Sequence, residues 1–202
     1  AYEGNTLVLR FNNPVSSGSL SGVKICVDAG HGGSDTGMIG ANVYEKDMNL
    51  LQAQMVAEAL RQLGAEVIMT RTGDTYLDLY ARTAIATQNQ VDLFISVHHN
   101  AQSGGSTARG IETYYNAPFS KPLAVAVQNQ VRQYMTVDRG AKGPEPSYNF
   151  VVTRQVQYPS ILVEYGFLTN PEDESLAMDE NHQWDMANAT AQGVLDYFNA
   201  MN

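Results

Sequence analysis

Short apolar runs alternate with longer segments of helical periodicity along most of this 202-residue chain. Residues 23–27 and 160–165 are nearly all apolar, which is typical of strands that are buried on both faces of a parallel sheet. Residues 121–135 instead carry apolar side chains at the spacing of one helical face. Strand–helix alternation of this kind predicts an α/β fold, a single domain with a mostly parallel, twisted sheet and helices on both faces.

The alternation also sets the expected element bounds. Strands are predicted at residues 23–27, 66–70, 92–97, 111–115 (an edge-type strand), 149–153 and 160–165. Helices are predicted at residues 47–63, 77–89, 121–135 and 184–198. Asp47 is expected to cap the first helix and Gly64 to end it, with one apolar face made by Leu51, Met55, Ala59 and Leu63.

The N-terminal residues have a different character. Residues 6–11 alternate like a strand, and residues 12–19 are rich in Asn, Ser, Gly and Pro, as linkers are. We therefore expect residues 1–21 to be a linker or the remnant of an upstream module, and residues 22–202 to form the domain proper.

Composition excludes several classes of protein. The net charge is −9, from 12 basic and 21 acidic residues, and no basic stripe is present, so nucleic acid is not an expected partner. No apolar run approaches the roughly 18 residues that a membrane span needs. Cys26 is the single cysteine, which rules out a disulfide framework and a multi-cysteine zinc site; its apolar surroundings indicate a buried, inert thiol.

Four polar residues fall where open α/β sheets bind ligands, at or near the carboxyl ends of strands. His31 follows the first predicted strand, His98 follows 92–97, and Glu164 lies near the end of 160–165. Glu45 stands 14 residues after His31, at the entry to the first long helix.

Two histidines and a carboxylate form a ligand set that zinc accepts, and three protein ligands leave a fourth position for water. Glu164 would then serve as the acid/base that accepts a proton from that water. The alternatives are that the histidines are loop residues bonded to backbone and that Glu164 forms a salt bridge with Arg71 or Arg154. Gly30, Gly32 and Gly33 fit a tight turn around a metal better than a nucleotide site, because Asp35 occupies the last position of the dinucleotide fingerprint.

Five ordered segments resemble the zinc-dependent N-acetylmuramoyl-L-alanine amidases of the amidase-3 type, and the likeness extends over about residues 23–198. The segments are VDAGHGG (27–33), EKDMNL (45–50), TR (70–71), SVHHNA (96–101) and LVEYGFLTN (162–170). The resemblance implies that His31, Glu45 and His98 bind one zinc ion and that Glu164 is the catalytic acid/base. It also implies hydrolysis of the amide between the lactyl group of N-acetylmuramic acid and the L-alanine of the peptidoglycan stem peptide.

The resemblance therefore implies an enzyme that works outside the cytoplasm, in the cell wall or as a secreted protein. Its expected source is a bacterium, or a phage that uses it as a lysin. An acidic chain is not held on an anionic wall by charge alone, so wall-binding or regulatory modules outside this segment are expected partners besides peptidoglycan. Relatives from Gram-negative cell-division systems carry a long insertion that includes an inhibitory helix. In this chain the insertion would fall between Tyr115 and Leu123. Residues 116–122 are too few to form one, which predicts an open, constitutively accessible site.

Several other polar and aromatic residues are candidates for supporting roles at the predicted site. His99 replaces the small residue that is commoner in the family, and its side chain should point away from that of His98. His99, Asn100 and Arg71 are candidates to contact the substrate or to support the metal ligands, while His182 is expected in a surface loop. Tyr114, Tyr115, Tyr148 and Tyr165 are as well suited to a substrate groove as to the core.

Two other functions remain open at this point. One is a non-catalytic peptidoglycan-binding or regulatory module on the same fold, although all four site positions carry suitable residues. The other is a zinc peptidase that acts within the stem peptide, because any amide suits the same chemistry.

Overall fold

The computed structural model describes residues 2–3, 6–7, 18–103 and 107–201. Its strands are β1 (Tyr2–Glu3), β2 (Thr6–Leu7), β3 (Lys24–Ala29), β4 (Glu66–Met69), β5 (Leu93–Asn100), β6 (Ile111–Tyr115), β7 (Asp138–Lys142) and β8 (Ser160–Phe167). Its α-helices are α1 (Glu45–Gln62), α2 (Leu79–Gln88), α3 (Lys121–Val131), α4 (Pro171–Ala177) and α5 (Glu180–Asn199). Short 3-10 turns include Pro118–Ser120 and Val151–Thr153.

Six strands form the main sheet in the order β4-β3-β5-β8-β6-β7. Pairs β3–β4, β3–β5, β5–β8 and β6–β7 are parallel, and β6 runs antiparallel to β8. The predicted mostly parallel sheet is confirmed. The prediction that residues 111–115 form an edge strand is wrong, because β7 pairs with the outer side of β6 and leaves all five of its residues buried.

Alternate residues of the strands fill two apolar layers. Ile25, Ile95 and Val163 pack beneath α1, α3 and α5, whereas Cys26 and Phe94 face the opposite side with α2 and the turn at Val151–Thr153. Helical structure therefore covers both faces of the sheet, as predicted. Cys26 is fully buried, and burial raises the pKa of its thiol above the ordinary value.

Helix α1 differs from its prediction in both its start and its face. It begins at Glu45, with Tyr44 as the N-cap, so Asp47 lies in the first turn and does not cap it. Leu51 is 41% exposed, while the fully buried face includes Ala53, Val56 and Leu60. A spacing of four residues drifts around a helix of 3.6 residues per turn, which carries Leu51 away from the face that meets the sheet.

Several other segments depart from expectation. Residues 149–153 hold a 3-10 turn at Val151–Thr153 rather than a strand, and β7 and α4 were not predicted. Residues 8–17 lie outside the described residues. They include the rest of the predicted 6–11 strand and most of the predicted linker at 12–19. Leu20 is fully buried and its amide donates to the Leu63 carbonyl at 2.7 Å, so the core reaches beyond the expected boundary at residue 22.

No helix among the described residues is both long and apolar enough to cross a membrane.

Candidate metal site

The sheet topology brings the four predicted site residues to one end of the molecule. Strands β3, β5 and β8 are neighbours, and their carboxyl ends meet at the same edge. His31 follows β3 by two residues, and His98 and Glu164 pair directly across β5 and β8. Both strands continue beyond these residues, to Asn100 and Phe167, although the register of their pairing shifts after His98. His98 and Glu164 therefore project from strands rather than from loops.

His31, Glu45 and His98 form a group whose ligand atoms lie within 4.8 Å of one another and which can hold a metal ion. Glu45 Oε1 lies 3.1 Å from His31 Nε2 and 2.9 Å from His98 Nδ1. The Glu45 carboxylate is buried, while both imidazoles are partly open to the groove described below. Burial by itself disfavours ionisation of Glu45, but hydrogen bonds to the two imidazoles and their charge outweigh it and hold its pKa below the ordinary value.

The turn that carries His31 is strained and tightly packed. His31 has a φ of 59°, in the left-handed region that side chains other than glycine rarely adopt. Its Nδ1 lies 2.9 Å from Asp35 Oδ2, so the carboxylate fixes the ring and leaves Nε2 facing Glu45. A Cβ atom on Gly30 would lie 2.3 Å from the His98 ring, which explains the need for glycine before His31.

His99 points to the opposite face of the sheet from His98, as predicted. It is buried, stacks near Tyr165 with ring centroids 6.0 Å apart, and places Nδ1 2.9 Å from Asn49 Oδ1. Burial is the main reason that its pKa falls to about 4, with the charge of His98 adding to the shift and Glu45 opposing it. His99 is therefore a neutral side chain behind the group of His31, Glu45 and His98.

Glu164 is a buried carboxylate with an oxygen that lacks a hydrogen-bond donor. It is 9% exposed, and its Oε2 has no hydrogen-bond partner among the described residues. Burial, reinforced by the charges of Glu45 and Glu112, raises the pKa of Glu164 well above its ordinary value. The alternative salt bridges to Arg71 and Arg154 are not formed: Arg71 bonds to backbone carbonyls, and Arg154 lies exposed on the surface.

Glu112 pairs with Glu164 across β6 and β8 and is fully supplied with donors. Its Oε1 accepts from Asn100 Nδ2 at 2.6 Å and from the Tyr114 hydroxyl at 2.7 Å, and its Oε2 accepts from Arg139 and Lys142. Asn100 is thereby held in place, and it lines the groove beside the metal ligands.

Arg71 supports the site from behind. Its guanidinium donates to the carbonyls of Ala29, Gly30 and Lys46 at 2.7–2.9 Å, which joins the His31 turn to the start of α1. It is buried and is not among the described residues that line the groove.

A groove of about 540 Å³ opens beside His31, His98 and Glu164. Its far wall is apolar and comprises Tyr76, Leu77, Leu79, Phe150, Val151 and Val152. The four tyrosines considered above do not line it: Tyr114, Tyr115 and Tyr165 are buried, and Tyr148 packs on Tyr114 with ring centroids 4.9 Å apart. His182 lies in the first turn of α5 and not in a loop.

Sequence reasoning missed three residues of this site. Asp35 orients His31, Asn49 contacts Glu45 and His99, and Arg82 pairs with the buried Asp28 beneath the His31 turn. A signal was available for one of them: Asn49 stands four residues after Glu45 in a predicted helical segment, a spacing that places two side chains on one helical face.

Comparison with known proteins agrees with this geometry. The sequence profile of the N-acetylmuramoyl-L-alanine amidase family matches residues 25–196. The N-acetylmuramoyl-L-alanine amidase LytC of Bacillus subtilis (strain 168) is 36% identical over 194 residues, which cover 94% of this chain and 37% of LytC.

Two solved structures share both the fold and a substantial part of the sequence. An N-acetylmuramoyl-L-alanine amidase from Clostridium difficile 630 superposes with a TM-score of 0.83 and 37% identity, covering 92% of this chain and 100% of the other. The catalytic domain of the amidase CwlV from Bacillus (Paenibacillus) polymyxa var. colistinus gives a TM-score of 0.81 and 35% identity, covering 88% and 98%. The chain therefore belongs to the N-acetylmuramoyl-L-alanine amidase family, whose members are hydrolases of peptidoglycan.

Proposed function

We propose that this chain uses one zinc ion and Glu164 to hydrolyse the amide between the lactyl group of N-acetylmuramic acid and the L-alanine of the stem peptide. The observation that carries the proposal is the pairing of a three-residue metal group with an unpartnered carboxylate beside it. The chain spans only 37% of LytC, so the activity of a longer protein that contains it is part of the proposal.

The donor set supports zinc as the metal. Zinc accepts imidazole nitrogen and carboxylate oxygen, and in catalytic sites it takes three protein ligands. His31, Glu45 and His98 would hold the ion, with Asp35 fixing the ring of His31 as carboxylates do behind metal-bound histidines. When bound, zinc polarises a carbonyl group and lowers the pKa of water towards about 7.

The other residues of the site supply the proton transfer and the orientation. Glu164 accepts a proton from the attacking water and delivers it to the leaving nitrogen. Its Oε2 has no competing donor, and a raised pKa suits a group that must gain and lose a proton near neutral pH. Asn100 is proposed to contact the substrate from the groove, because Glu112 fixes its amide there.

The cellular setting follows from the substrate. We assign the chain to the outside of the cytoplasm, in the cell wall or secreted, where peptidoglycan lies. A net charge of −9 gives no attraction to an anionic wall, so a separate wall-binding or regulatory module is expected to hold the enzyme there.

Digestion of purified peptidoglycan, with and without a chelator, tests the proposal. Mass spectrometry of the products should show free muramic lactyl groups together with new L-alanine amino termini, and the chelator should abolish both. New termini inside the stem peptide would indicate a peptidase instead, and binding without cleavage would indicate a non-catalytic module.

Accessibility of the site is tested with the same assay. Between β6 and α3 the chain holds a single 3-10 turn at Pro118–Ser120, too short to block the groove. The purified chain should therefore be active without a partner protein. Activity that appeared only after a partner was added would contradict an open site.

A further inference from the structure

One buried amide touches all three segments that carry the metal group. Asn49 lies one helical turn after Glu45 on α1 and is fully buried. Its Nδ2 donates to Glu45 Oε1 at 3.2 Å and to the carbonyl of Gly30, the residue before His31, at 3.3 Å. Its Oδ1 lies 2.9 Å from Nδ1 of His99, the residue after His98.

These contacts allow a single orientation of the amide. Rotating it by 180° would place Oδ1 against a carboxylate and a carbonyl, neither of which can donate a hydrogen bond. In the observed orientation both acceptors receive a proton from Nδ2, and Oδ1 receives one from His99. His99 must therefore carry its proton on Nδ1, because Oδ1 of Asn49 can only accept a hydrogen bond.

We infer that Asn49 is a positioning residue that sets the spacing of His31, Glu45 and His98, and that His99 locks it in place. The inference rests on the proposed zinc site. Because the carboxylate of Glu45 is shared between two imidazoles, the bond from Asn49 fixes the oxygen on which the group converges. Partners of this kind orient ligands before the metal arrives.

Asn49→Leu, which keeps the branching at Cγ and removes the hydrogen bonds, tests this role through zinc affinity rather than activity. Zinc affinity is measured by competition with a chromophoric chelator. We expect Asn49→Leu to weaken zinc binding about 10- to 100-fold, the range found when residues supporting metal ligands are replaced.

Gln52→Leu is the matched control. Gln52 is an equally buried amide on α1, but its Nε2 donates to the carbonyl of Gln183 at 3.1 Å, away from the metal group. Both variants lose a buried hydrogen bond and are compared by urea unfolding, whereas the loss of zinc affinity should be confined to Asn49→Leu. Equal zinc affinity in the two variants would overturn the inference and leave the proposed function intact.

A second measurement does not depend on a variant that folds. Nitrogen NMR of the ¹⁵N-histidine-labelled, zinc-loaded protein reports which ring nitrogen of His99 is protonated. A proton on Nδ1 supports the assigned amide orientation, and a proton on Nε2 would overturn it. Wild-type protein that bound no zinc would overturn the zinc site itself and, with it, this role for Asn49.

Discussion

Four of the buried carboxylates lie on β3, α1, β6 and β8 around the candidate site, and their partners separate their roles. Asp28 accepts from Arg82, Thr70 and Ser96 at 2.6–2.9 Å, and Glu112 is likewise satisfied by its four donors. Glu45 lies between two imidazoles. Of these four, Glu164 has a buried oxygen without a partner among the described residues; Asp173 Oδ1 also lacks one, but the other oxygen of Asp173 accepts from the amides of Gly110 and Phe167. Since a buried unpaired charge is costly, Glu164 is the residue that invites a functional explanation.

Glu164→Gln should retain zinc and lose turnover by about 10²- to 10⁴-fold, the usual contribution of a general acid/base. His31→Ala should lose both zinc and turnover, because it removes a member of the metal group. Metal content and peptidoglycan release, measured on the same preparations, separate the two effects. Near-normal turnover in Glu164→Gln would remove the acid/base assignment.

The same substitution predicts a pH-dependent gain in stability of the metal-free protein. The folded-state pKa of Glu164 is raised above its ordinary value of 4.5, so folding opposes its ionisation and stability is lost as the pH rises above that value. The unfolding free energy of Glu164→Gln should therefore exceed that of wild type by a margin that is small near pH 4 and grows towards neutral pH. The exposed Glu58→Gln is the control. A margin independent of pH would contradict the raised pKa.

The buried pair Asp28–Arg82 makes a prediction about stability alone. Its atoms lie 2.9 Å apart with side chains 0% and 3% exposed, and removing one partner of such a pair strands the other charge. Asp28→Ala should cost about 3–5 kcal/mol in urea unfolding. Glu66→Ala, which breaks the exposed pair with Lys24 at 3.1 Å, should cost at most about 1 kcal/mol. Equal costs would show that Arg82 finds other partners.

Among the elements, helices α3 and α5 approach each other closely at a glycine. A Cβ atom on Gly193 would lie 2.5 Å from Val127 Cα, a backbone atom that cannot move aside as a flexible side chain can. The two helices cover the same face of the sheet, so any separation between them disturbs the layer above β8.

Gly193→Ala should destabilise the protein by about 1–3 kcal/mol through overpacking, although alanine favours a helix by up to about 1 kcal/mol over glycine. Gly73→Ala is the matched control, because a Cβ atom there meets nothing within 4 Å. Thermal and urea unfolding of both variants measure the difference. A neutral or stabilised Gly193→Ala would mean that the helices separate without cost.

For the whole molecule, metal binding and folding should be coupled, because the group is assembled from a turn, a helix and a strand that only the fold brings together. Zinc at 100 times its dissociation constant should add about 2.7 kcal/mol to the unfolding free energy. The melting temperature should rise with zinc and fall with a chelator. His98→Ala should abolish the zinc-dependent rise, and its persistence there would place the ion elsewhere.

The sequence by itself determined the class of fold, and its periodicity together with the family resemblance pointed to the four candidate site residues. Local periodicity in the sequence predicts the buried strands and the helices. His31, Glu45, His98 and Glu164 stand at or near the ends of these predicted elements. Ligand-binding residues of an α/β sheet gather at those ends whatever the details of packing, so their positions were predictable without coordinates.

Only the tertiary structure decided which partners each residue meets. The position of β6 inside the sheet depends on β7, a polar strand more than 20 residues later, and the buried face of α1 depends on where the sheet lies. Asn49 joins Gly30 to His99 across 69 residues of chain. Hydrogen bonds and strand pairing between residues far apart in the chain produce no periodic pattern in the sequence. The intervening segment can differ in length and composition without changing such a contact, so local patterns do not predict it.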